Sequence, residues 1–214
     1  MNTEPYFYDD DPRPDVLPLV PSSARRVLDV GCGTGAFGQA LKRSRPDVEV
    51  WGIEPHLGVI PAAEVLLDRV VVGRFPEDVP DRHFDVVCFN DVLEHLVDPW
   101  GALLAAAPIL SAGGCVVASI PNVRHYSVIW ALVRHGEWRY RDVGILDRTH
   151  LRFFTRSSMV RAFTDAGYAI DTVKPVRLTP PRGRIPSVLH ALGRLGVDFL
   201  AERFVVVARP LPTR

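Results

Sequence analysis

The 214 residues include 25 basic and 25 acidic side chains, which gives a formal net charge of zero, and 47% of the residues are hydrophobic. This length and balance are typical of a single folded domain spanning residues 1–214, and they exclude a disordered or collagen-like chain. A neutral chain also lacks the excess positive charge of proteins that coat nucleic acid, so we do not expect nucleic acid as a partner.

Short apolar runs alternate with helical patterns through the first 120 residues. This alternation is typical of an α/β fold, a Rossmann-like and mostly parallel sheet with helices on both faces. Helices are predicted at residues 35–43, 56–67 and 92–110, the last one divided around Pro99. Strands are predicted at residues 26–30, 49–54, 68–72, 84–90 and 114–120. Because such sheets bind ligands beyond the carboxyl ends of their strands, the loops after these strands are the candidate sites.

The character of the chain changes after the fifth predicted strand. Residues 122–154 are rich in arginine and aromatic side chains, and we interpret them as an inserted substrate cap. Thr155 is a good N-cap for a helix that ends at Gly167. A connecting helix at 185–200 then separates two more strands, at 168–176 and 204–208, and these strands are expected to pair antiparallel at the sheet edge. Residues 1–24 are predicted to form an N-terminal arm and helix.

Cysteine usage and hydropathy bear on the compartment. Cys32, Cys88 and Cys115 lie in apolar or glycine-rich contexts, which favours buried free thiols in a reducing environment. The acidic, polar N-terminus does not resemble a secretory signal. Residues 99–123 carry no charge, but prolines and glycines interrupt them, so we interpret them as core and expect no membrane span. The sequence therefore predicts a cytoplasmic protein, and no feature of it separates a monomer from a homodimer.

A glycine-rich loop follows the first predicted strand. Residues 27–35, VLDVGCGTG, place three glycines at alternate positions between a strand and a helix. Glycine allows a tight turn and close approach of the backbone to a ligand, and the helix that follows offers free N–H groups. Asp29, before the loop, suits a ligand with an ammonium group. Glu54 ends the second strand, where a carboxylate can accept hydrogen bonds from both ribose hydroxyls. A structural turn without a ligand is the alternative.

These motifs resemble those of the class I S-adenosylmethionine-dependent methyltransferases. The resemblance rests on the glycine loop, Glu54, the segment FDVVCFNDVLEH at 84–95 and the closing FVVVARP. It implies a seven-stranded sheet whose last strand is antiparallel. It also implies that S-adenosyl-L-methionine is the cofactor, with its methionyl part near Asp29, its ribose on Glu54 and its adenine near Phe75. An N-terminal segment at Tyr8 would fold over it, unless that tyrosine is a surface aromatic. The implied cofactor-binding residues are Tyr8, Asp29, Gly31, Cys32, Gly33, Gly35, Glu54, Pro55, Phe75 and Asn90.

An acidic and imidazole motif follows the fourth predicted strand. If Asp91 opens a helix, then Asp91, Glu94 and His95 share one face and could hold a divalent ion. His150 could return to the same place as a fourth ligand. Asp91 and Glu94 also have the spacing of a capping box, which needs no metal. If no metal binds, His95 or His150 is the candidate general base.

The distal part of the chain carries two further resemblances. The combination of DVLEH, IPN and THLRFF is similar to ubiquinone-biosynthesis O-methyltransferases and to small-RNA terminal 2′-O-methyltransferases. It implies that Asp91, Glu94, His95 and His150 bind Mg²⁺ or Mn²⁺. The cap segment resembles that of bacterial methyltransferases of glycan assembly, which implies a sugar hydroxyl as acceptor. His125 and Tyr126, just after the fifth strand, are the candidate substrate contacts.

We therefore expect a methyltransferase that acts, with a divalent metal, on a hydroxyl of a sugar or another polyhydroxylated small molecule. Three alternatives stay open at this point. One is a metal-free enzyme that methylates a nitrogen, a carbon or a phenol. The second is a cofactor-binding module that has lost catalysis. The third is an RNA-end methyltransferase, favoured by the basic cap and disfavoured by the neutral charge.

Overall fold

The computed structural model describes residues 10–79, 81–179 and 194–212. Within these residues, seven strands form one sheet with the order β3-β2-β1-β4-β5-β7-β6. The parallel strands β1 to β5 are followed by an antiparallel pairing of β7 with both β5 and β6, as the family resemblance implied. The strands are β1 Arg26–Val30, β2 Glu49–Glu54, β3 Arg69–Val72, β4 Phe84–Asn90, β5 Leu110–Pro121, β6 Tyr168–Leu178 and β7 Ala201–Pro210.

Six α-helices lie between these strands in the described part of the chain. They are α1 Ala36–Ser44, α2 Ile60–Leu66, α3 Pro99–Ala106, α4 Tyr126–His135, α5 Arg156–Asp165 and α6 Arg194–Leu200. The predicted capping of α5 by Thr155 is confirmed, since its side chain accepts from the Ser158 N–H. Of the predicted connecting helix, only α6 lies within the described residues; the positions between 180 and 193 fall outside them.

The predicted division of residues 92–110 around Pro99 is confirmed, although the first of the two pieces is not an α-helix. A short 3₁₀ helix, Leu93–His95, comes first, and α3 begins only at Pro99. Asp98 caps α3 by accepting the Gly101 N–H at 2.9 Å. Proline is favoured in the first turn of a helix because it has no N–H to leave unsatisfied, and this places the break. The fifth strand also begins earlier than predicted, at Leu110, which pairs with Phe84 before a shift in register.

Both faces of the sheet are covered, because successive strand residues point to opposite sides. Val27 packs in a core that contains Phe37 of α1 and Ala63 of α2. Its neighbour Leu28 packs in the other core, with side chains from α3 and α5. Strands buried on both faces read as continuous apolar runs, which is why their bounds could be predicted closely.

The cysteines and the uncharged segment agree with the sequence expectations. Cys32, Cys88 and Cys115 are all free and buried. The uncharged residues 99–123 divide into α3, a 3₁₀ turn and the whole of β5. Within the described residues, no helix has the length and apolar character that crossing a bilayer requires.

Candidate active site

The glycine loop lies between β1 and α1, at the carboxyl edge of the sheet. Gly31, Gly33 and Gly35 have φ angles of +67°, +54° and +88°, a region that other residues adopt only with strain. A Cβ on Gly31 would come within 2.8 Å of a methyl carbon of Val92. Glycine at position 31 is therefore required both by the backbone angle and by the close packing of the loop after β4.

Two buried carboxylates flank this loop. Glu54, 2% exposed, accepts the Gly33 N–H at 3.0 Å and the His56 N–H at 2.9 Å. Asp29 is equally buried and accepts a hydrogen bond from the Asn90 side-chain amide at 3.1 Å. Burial raises the pKa of Asp29 to about 7, and the hydrogen bond from Asn90 opposes that rise. A cationic group placed beside Asp29 would stabilise its carboxylate form.

The remaining predicted cofactor residues are distributed around the same edge. Phe75 is buried and packs edge to face on Phe89 of β4, with ring centroids 5.3 Å apart. Cys32 lies within the loop, and Pro55 follows β2 directly. Tyr8 lies outside the described residues, so its position over the cofactor stays a prediction.

Asp91 follows β4 at the same edge, but it does not open a helix. Its φ is +55°, and the short helix begins at Leu93 with Val92 as its N-cap and no side-chain cap. The predicted capping box between Asp91 and Glu94 is therefore wrong, and so is the single helical face that the two residues were expected to share.

The carboxylate of Asp91 instead meets two arginines. Its Oδ2 lies 3.1 Å from Nη1 of Arg13 and 3.3 Å from Nη2 of Arg203, and its Oδ1 accepts from the Ser119 hydroxyl. Arg13 is 6% exposed and also donates to the Ser119 hydroxyl at 2.7 Å. Sequence reasoning missed Arg13. The available signal was that it is the only basic residue among the first 24.

Glu94, His95 and His150 come together although the chain separates them widely. One potential ligand atom of each residue lies within 4.8 Å of those of the other two. The carbonyl of Glu94 accepts the N–H groups of Leu151 and Arg152, at 2.8 and 2.9 Å, which brings the segment with His150 alongside. Three of the four predicted metal ligands therefore lie together, whereas the carboxylate of Asp91 pairs with Arg13 and Arg203.

Both histidines are held in the tautomer that suits a metal ligand. Nδ1 of His150 lies 3.0 Å from the Ile145 carbonyl, and Nδ1 of His95 lies 3.3 Å from the Thr149 carbonyl. A carbonyl can only accept, so each Nδ1 carries the proton and each Nε2 carries the lone pair. The Thr149 hydroxyl supports this, because it donates to Asp147 and so accepts from His95. Nδ1–H bonds of this kind orient metal-ligating histidines.

The protonation tendencies follow from burial. Burial, and after it the negative charge of Asp91, raise the pKa of Glu94 well above its ordinary value. Burial, and the neighbouring imidazole of His150, lower the pKa of His95; burial also lowers the pKa of His150. Glu94 is 1% exposed, and neither of its carboxyl oxygens has a hydrogen-bond partner among the described residues. Buried carboxyl groups normally have a hydrogen-bond or charged partner, and a bound cation would be such a partner for Glu94.

An open cleft of about 550 Å³ adjoins this cluster. It is lined by Tyr140, Arg148, His150, Leu151 and Phe153. This lining comes from a later part of the cap than His125 and Tyr126, the predicted substrate contacts. His125 is buried at the start of α4, with Nδ1 2.8 Å from the Ser127 hydroxyl, and Tyr126 packs beside it. Their contact with substrate is a prediction still.

Comparison with known proteins identifies the fold and the enzyme class. A family model described as a methyltransferase domain matches residues 6–173. The chain belongs to this family. It is a class I S-adenosylmethionine-dependent methyltransferase. The glycine cradle and the two buried carboxylates beside it fit that cofactor, because they offer backbone N–H groups and negative charge where an ammonium group and ribose hydroxyls would be recognised.

Two relatives carry the same functional name. The ubiquinone biosynthesis O-methyltransferase of Xylella fastidiosa is 28% identical over 188 residues, which cover 85% of this chain and 74% of that enzyme. The enzyme of that name from Psychrobacter arcticus is 31% identical over 171 residues. The aligned region covers 74% of this methyltransferase and 64% of that enzyme.

Solved structures show the same fold. A methyltransferase from Archaeoglobus fulgidus superposes with a TM-score of 0.62 at 19% identity and covers 87% of this chain and 86% of its own. An O-methyltransferase of neocarzinostatin biosynthesis, solved with S-adenosylmethionine and a naphthoic acid, has a TM-score of 0.56 at 15% identity. The match covers 87% of this methyltransferase and 49% of that chain.

Proposed function

We propose that this methyltransferase transfers the methyl group to a hydroxyl oxygen of a sugar or another polyhydroxylated small molecule, and that a divalent cation assists. The observation that carries the proposal is the cluster of Glu94, His95 and His150, in which a buried carboxyl group with no hydrogen-bond partner in the described part of the chain meets two imidazoles. The similarity to enzymes named O-methyltransferases supports oxygen as the methylated atom.

One carboxylate and two neutral imidazoles fit a borderline divalent ion such as Mn²⁺ better than Mg²⁺, which prefers oxygen ligands and would need more of its coordination from water or acceptor oxygens. Glu94 would supply the negative charge, and His95 and His150 would each supply Nε2. Three protein ligands leave room for acceptor oxygens at the mouth of the cleft. A divalent ion, when bound, supplies positive charge that lowers the pKa of a nearby hydroxyl.

The protein itself contributes mainly by positioning the methyl donor and the acceptor. Methyl transfer needs the acceptor oxygen, the methyl carbon and the sulfur in line, and the donor is already activated, so orientation accounts for much of the rate. The glycine loop would hold the donor on one side of Asn90, and the Glu94 cluster would hold the acceptor on the other. Both lie at the carboxyl edge of the sheet, because β1 and β4 are neighbouring parallel strands.

The aromatic lining of the cleft favours a second acceptor class, a phenol. Tyr140 and Phe153 face the cleft, and Trp138 packs edge to face on Phe153 with centroids 5.2 Å apart. Aromatic rings of this kind pack against the apolar face of a sugar or against an aryl ring. The acceptor panel must therefore contain both classes. The expected cytoplasmic location is part of this proposal.

The experiment is an activity assay with S-adenosylmethionine and paired acceptors, read as methylated product by mass spectrometry. The panel contains methyl glucopyranoside and glucuronate as sugars, catechol as a vicinal diol, and phenol and an aryl amine as single acceptors. The proposal predicts turnover of a compound with vicinal hydroxyls, loss of that turnover with a chelator, and its return with Mn²⁺ or Mg²⁺.

A matched variant pair connects the metal effect to the cluster. His150→Ala should lose the metal-dependent activity, whereas His135→Ala, an exposed histidine at the end of α4, should keep it. Turnover that persists in chelator would support the metal-free enzyme. Binding of the donor without turnover of any acceptor would support the module that has lost catalysis.

A further inference from the structure

The acceptor cleft is bounded by groups of different chemistry. His150, a proposed metal ligand, lines it together with Arg148, and the aromatic rings of Tyr140 and Phe153 complete the wall. A molecule that places a hydroxyl at the metal cluster and a ring along the aromatic wall would therefore bring its remaining substituents near a guanidinium group.

The segment that carries Arg148 is well fixed. Residues 141–148 form a short loop that backbone hydrogen bonds close: the Arg141 N–H bonds the Leu146 carbonyl and the Arg148 N–H bonds the Arg141 carbonyl, both at 2.9 Å. Leu146 is buried beneath this turn. Because the backbone is held on both sides, Arg148 is presented to the cleft from a defined position, which reduces the entropy lost when it binds.

The present partner of Arg148 is one that a ligand can replace. Its Nη2 lies 2.6 Å from Oδ1 of Asp142, but the two side chains are 64% and 82% exposed. Ion pairs between exposed side chains contribute little to stability, so little is lost when a ligand displaces the aspartate. A guanidinium also offers donors in a planar fork that matches a carboxylate or a phosphate.

The residues around Arg148 carry an excess of positive charge, which favours an anionic ligand. Residues 138–153 contain four arginines and two aspartates. Asp147 already accepts from the N–H and the hydroxyl of Thr149. Among the described residues, neither Arg139 nor Arg141 forms an ion pair, so Asp142 is the acid that directly competes for the guanidinium at the cleft.

We propose that the acceptor carries an anionic group, a carboxylate or a phosphate, and that Arg148 binds this group and sets acceptor specificity. The proposal rests on the proposed function, since it assumes that the cleft beside His150 holds the acceptor. It adds the class of acceptor: a hydroxylated compound with a negative charge at the end remote from the methylated oxygen.

The test is calorimetric and uses matched probes on the protein loaded with S-adenosylhomocysteine and Mg²⁺. Catechol is compared with 3,4-dihydroxybenzoate, and methyl glucopyranoside with glucuronate and glucose 6-phosphate, so that carboxylate and phosphate are distinguished. We expect the favoured anionic probe to bind about tenfold more tightly than its neutral counterpart, the size of effect typical of one charged hydrogen-bonded contact.

Three variants connect this preference to the residue. Arg148→Ala should reduce the preference to less than about twofold, and Asp142→Asn should increase it because the competing carboxylate is gone. Arg134→Ala is the matched control, because Arg134 is exposed on α4 and does not line the cleft. It should keep the preference of the unmodified enzyme.

Failure of this proposal is distinguishable from failure of the metal proposal. A preference that is absent in the unmodified enzyme, or that survives Arg148→Ala, would overturn the role of Arg148, as would failure of every anionic probe to bind. Repeating the titrations without Mg²⁺ and with Glu94→Gln addresses the metal. A preference that depends on Arg148 while binding is indifferent to Mg²⁺ would support the anion site and contradict the metal site.

Discussion

The imidazole rings of His95 and His150 lie edge to face, with centroids 4.7 Å apart, although 54 residues separate them in the chain. Backbone hydrogen bonds impose this contact, because the N–H groups of Leu151 and Arg152 both bond the carbonyl of Glu94. The cap is thus joined to the loop after β4 by main-chain bonds that do not depend on the imidazoles. Variants of either histidine should therefore report on chemistry more than on folding.

Gly31→Ala should weaken binding of S-adenosylhomocysteine by at least about tenfold. The new Cβ would lie 2.8 Å from a Val92 methyl carbon and would also require a strained φ of +67°. Calorimetric titration measures the effect. Gly113→Ala is the control, because Gly113 has a φ of +77° with nothing within 4 Å of the added carbon. Equal loss of affinity in both variants would mean that general destabilisation, not the loop, is responsible.

Because burial raises the pKa of Asp29, its contribution to the free energy of unfolding should decrease as the pH rises. Its pKa is about 7 in the folded protein against an ordinary value of 3.8, so the folded state holds the extra proton between these values. The contribution of Asp29 to the free energy of unfolding is therefore fully present below about pH 4. It is lost as the pH rises through about 7.

Asp29→Asn should remove this dependence, because asparagine cannot ionise and its oxygen can still accept from Asn90. The variant should gain stability over the unmodified protein between about pH 5 and 7, by at most about 1.4 kcal/mol per pH unit. Urea denaturation at several pH values measures it. Parallel pH profiles of the two proteins would show that Asp29 does not titrate in this range.

Arg13→Ala should lower stability but raise metal affinity. It removes one of the two arginines that contact Asp91, and it leaves the Ser119 hydroxyl without a donor, which should cost about 1–3 kcal/mol. The positive charge of Arg13 lowers the pKa of Glu94, and it repels a divalent cation at the cluster about twice as strongly as it repels that proton, so its loss should strengthen Mn²⁺ binding.

Arg13→Lys is the control, because it keeps the charge but loses the planar fork. It should keep the Mn²⁺ affinity of the unmodified protein, measured by calorimetry, while part of the thermal stability is lost. If the alanine variant binds Mn²⁺ as tightly as the unmodified protein, the arm that carries Arg13 has no electrostatic influence on the cluster.

The sheet was predictable because its signals are local. A buried parallel strand is a continuous apolar run, so the bounds of β1, β2 and β4 were found as the structure has them. The segment after β4 was not predicted correctly. The spacing of Asp91 and Glu94 satisfies the capping-box pattern, but two arginines from remote parts of the chain take the aspartate instead.

The cluster could be predicted only in part for the same reason. Local spacing brings Glu94 and His95 together, whereas His150 was only a candidate to return to the same place, which the family resemblance then supported. The tautomers depend on the carbonyls of Ile145 and Thr149, whose positions follow from the fold of the cap. Arg148 was predicted only as one of many arginines, because its place beside the cleft results from a hydrogen-bonded loop with no strong sequence pattern.

The measurement that tests the central claim most directly is Mn²⁺ binding to the complex with S-adenosylhomocysteine, followed by electron paramagnetic resonance. The account predicts one bound ion per chain, with nitrogen couplings from His95 and His150. His150→Ala and Glu94→Gln should each weaken binding by about tenfold or more, and His135→Ala should leave it unchanged. Mn²⁺ that stays free, or that binds equally well to the His150→Ala variant, would contradict the assignment of a metal to this cluster.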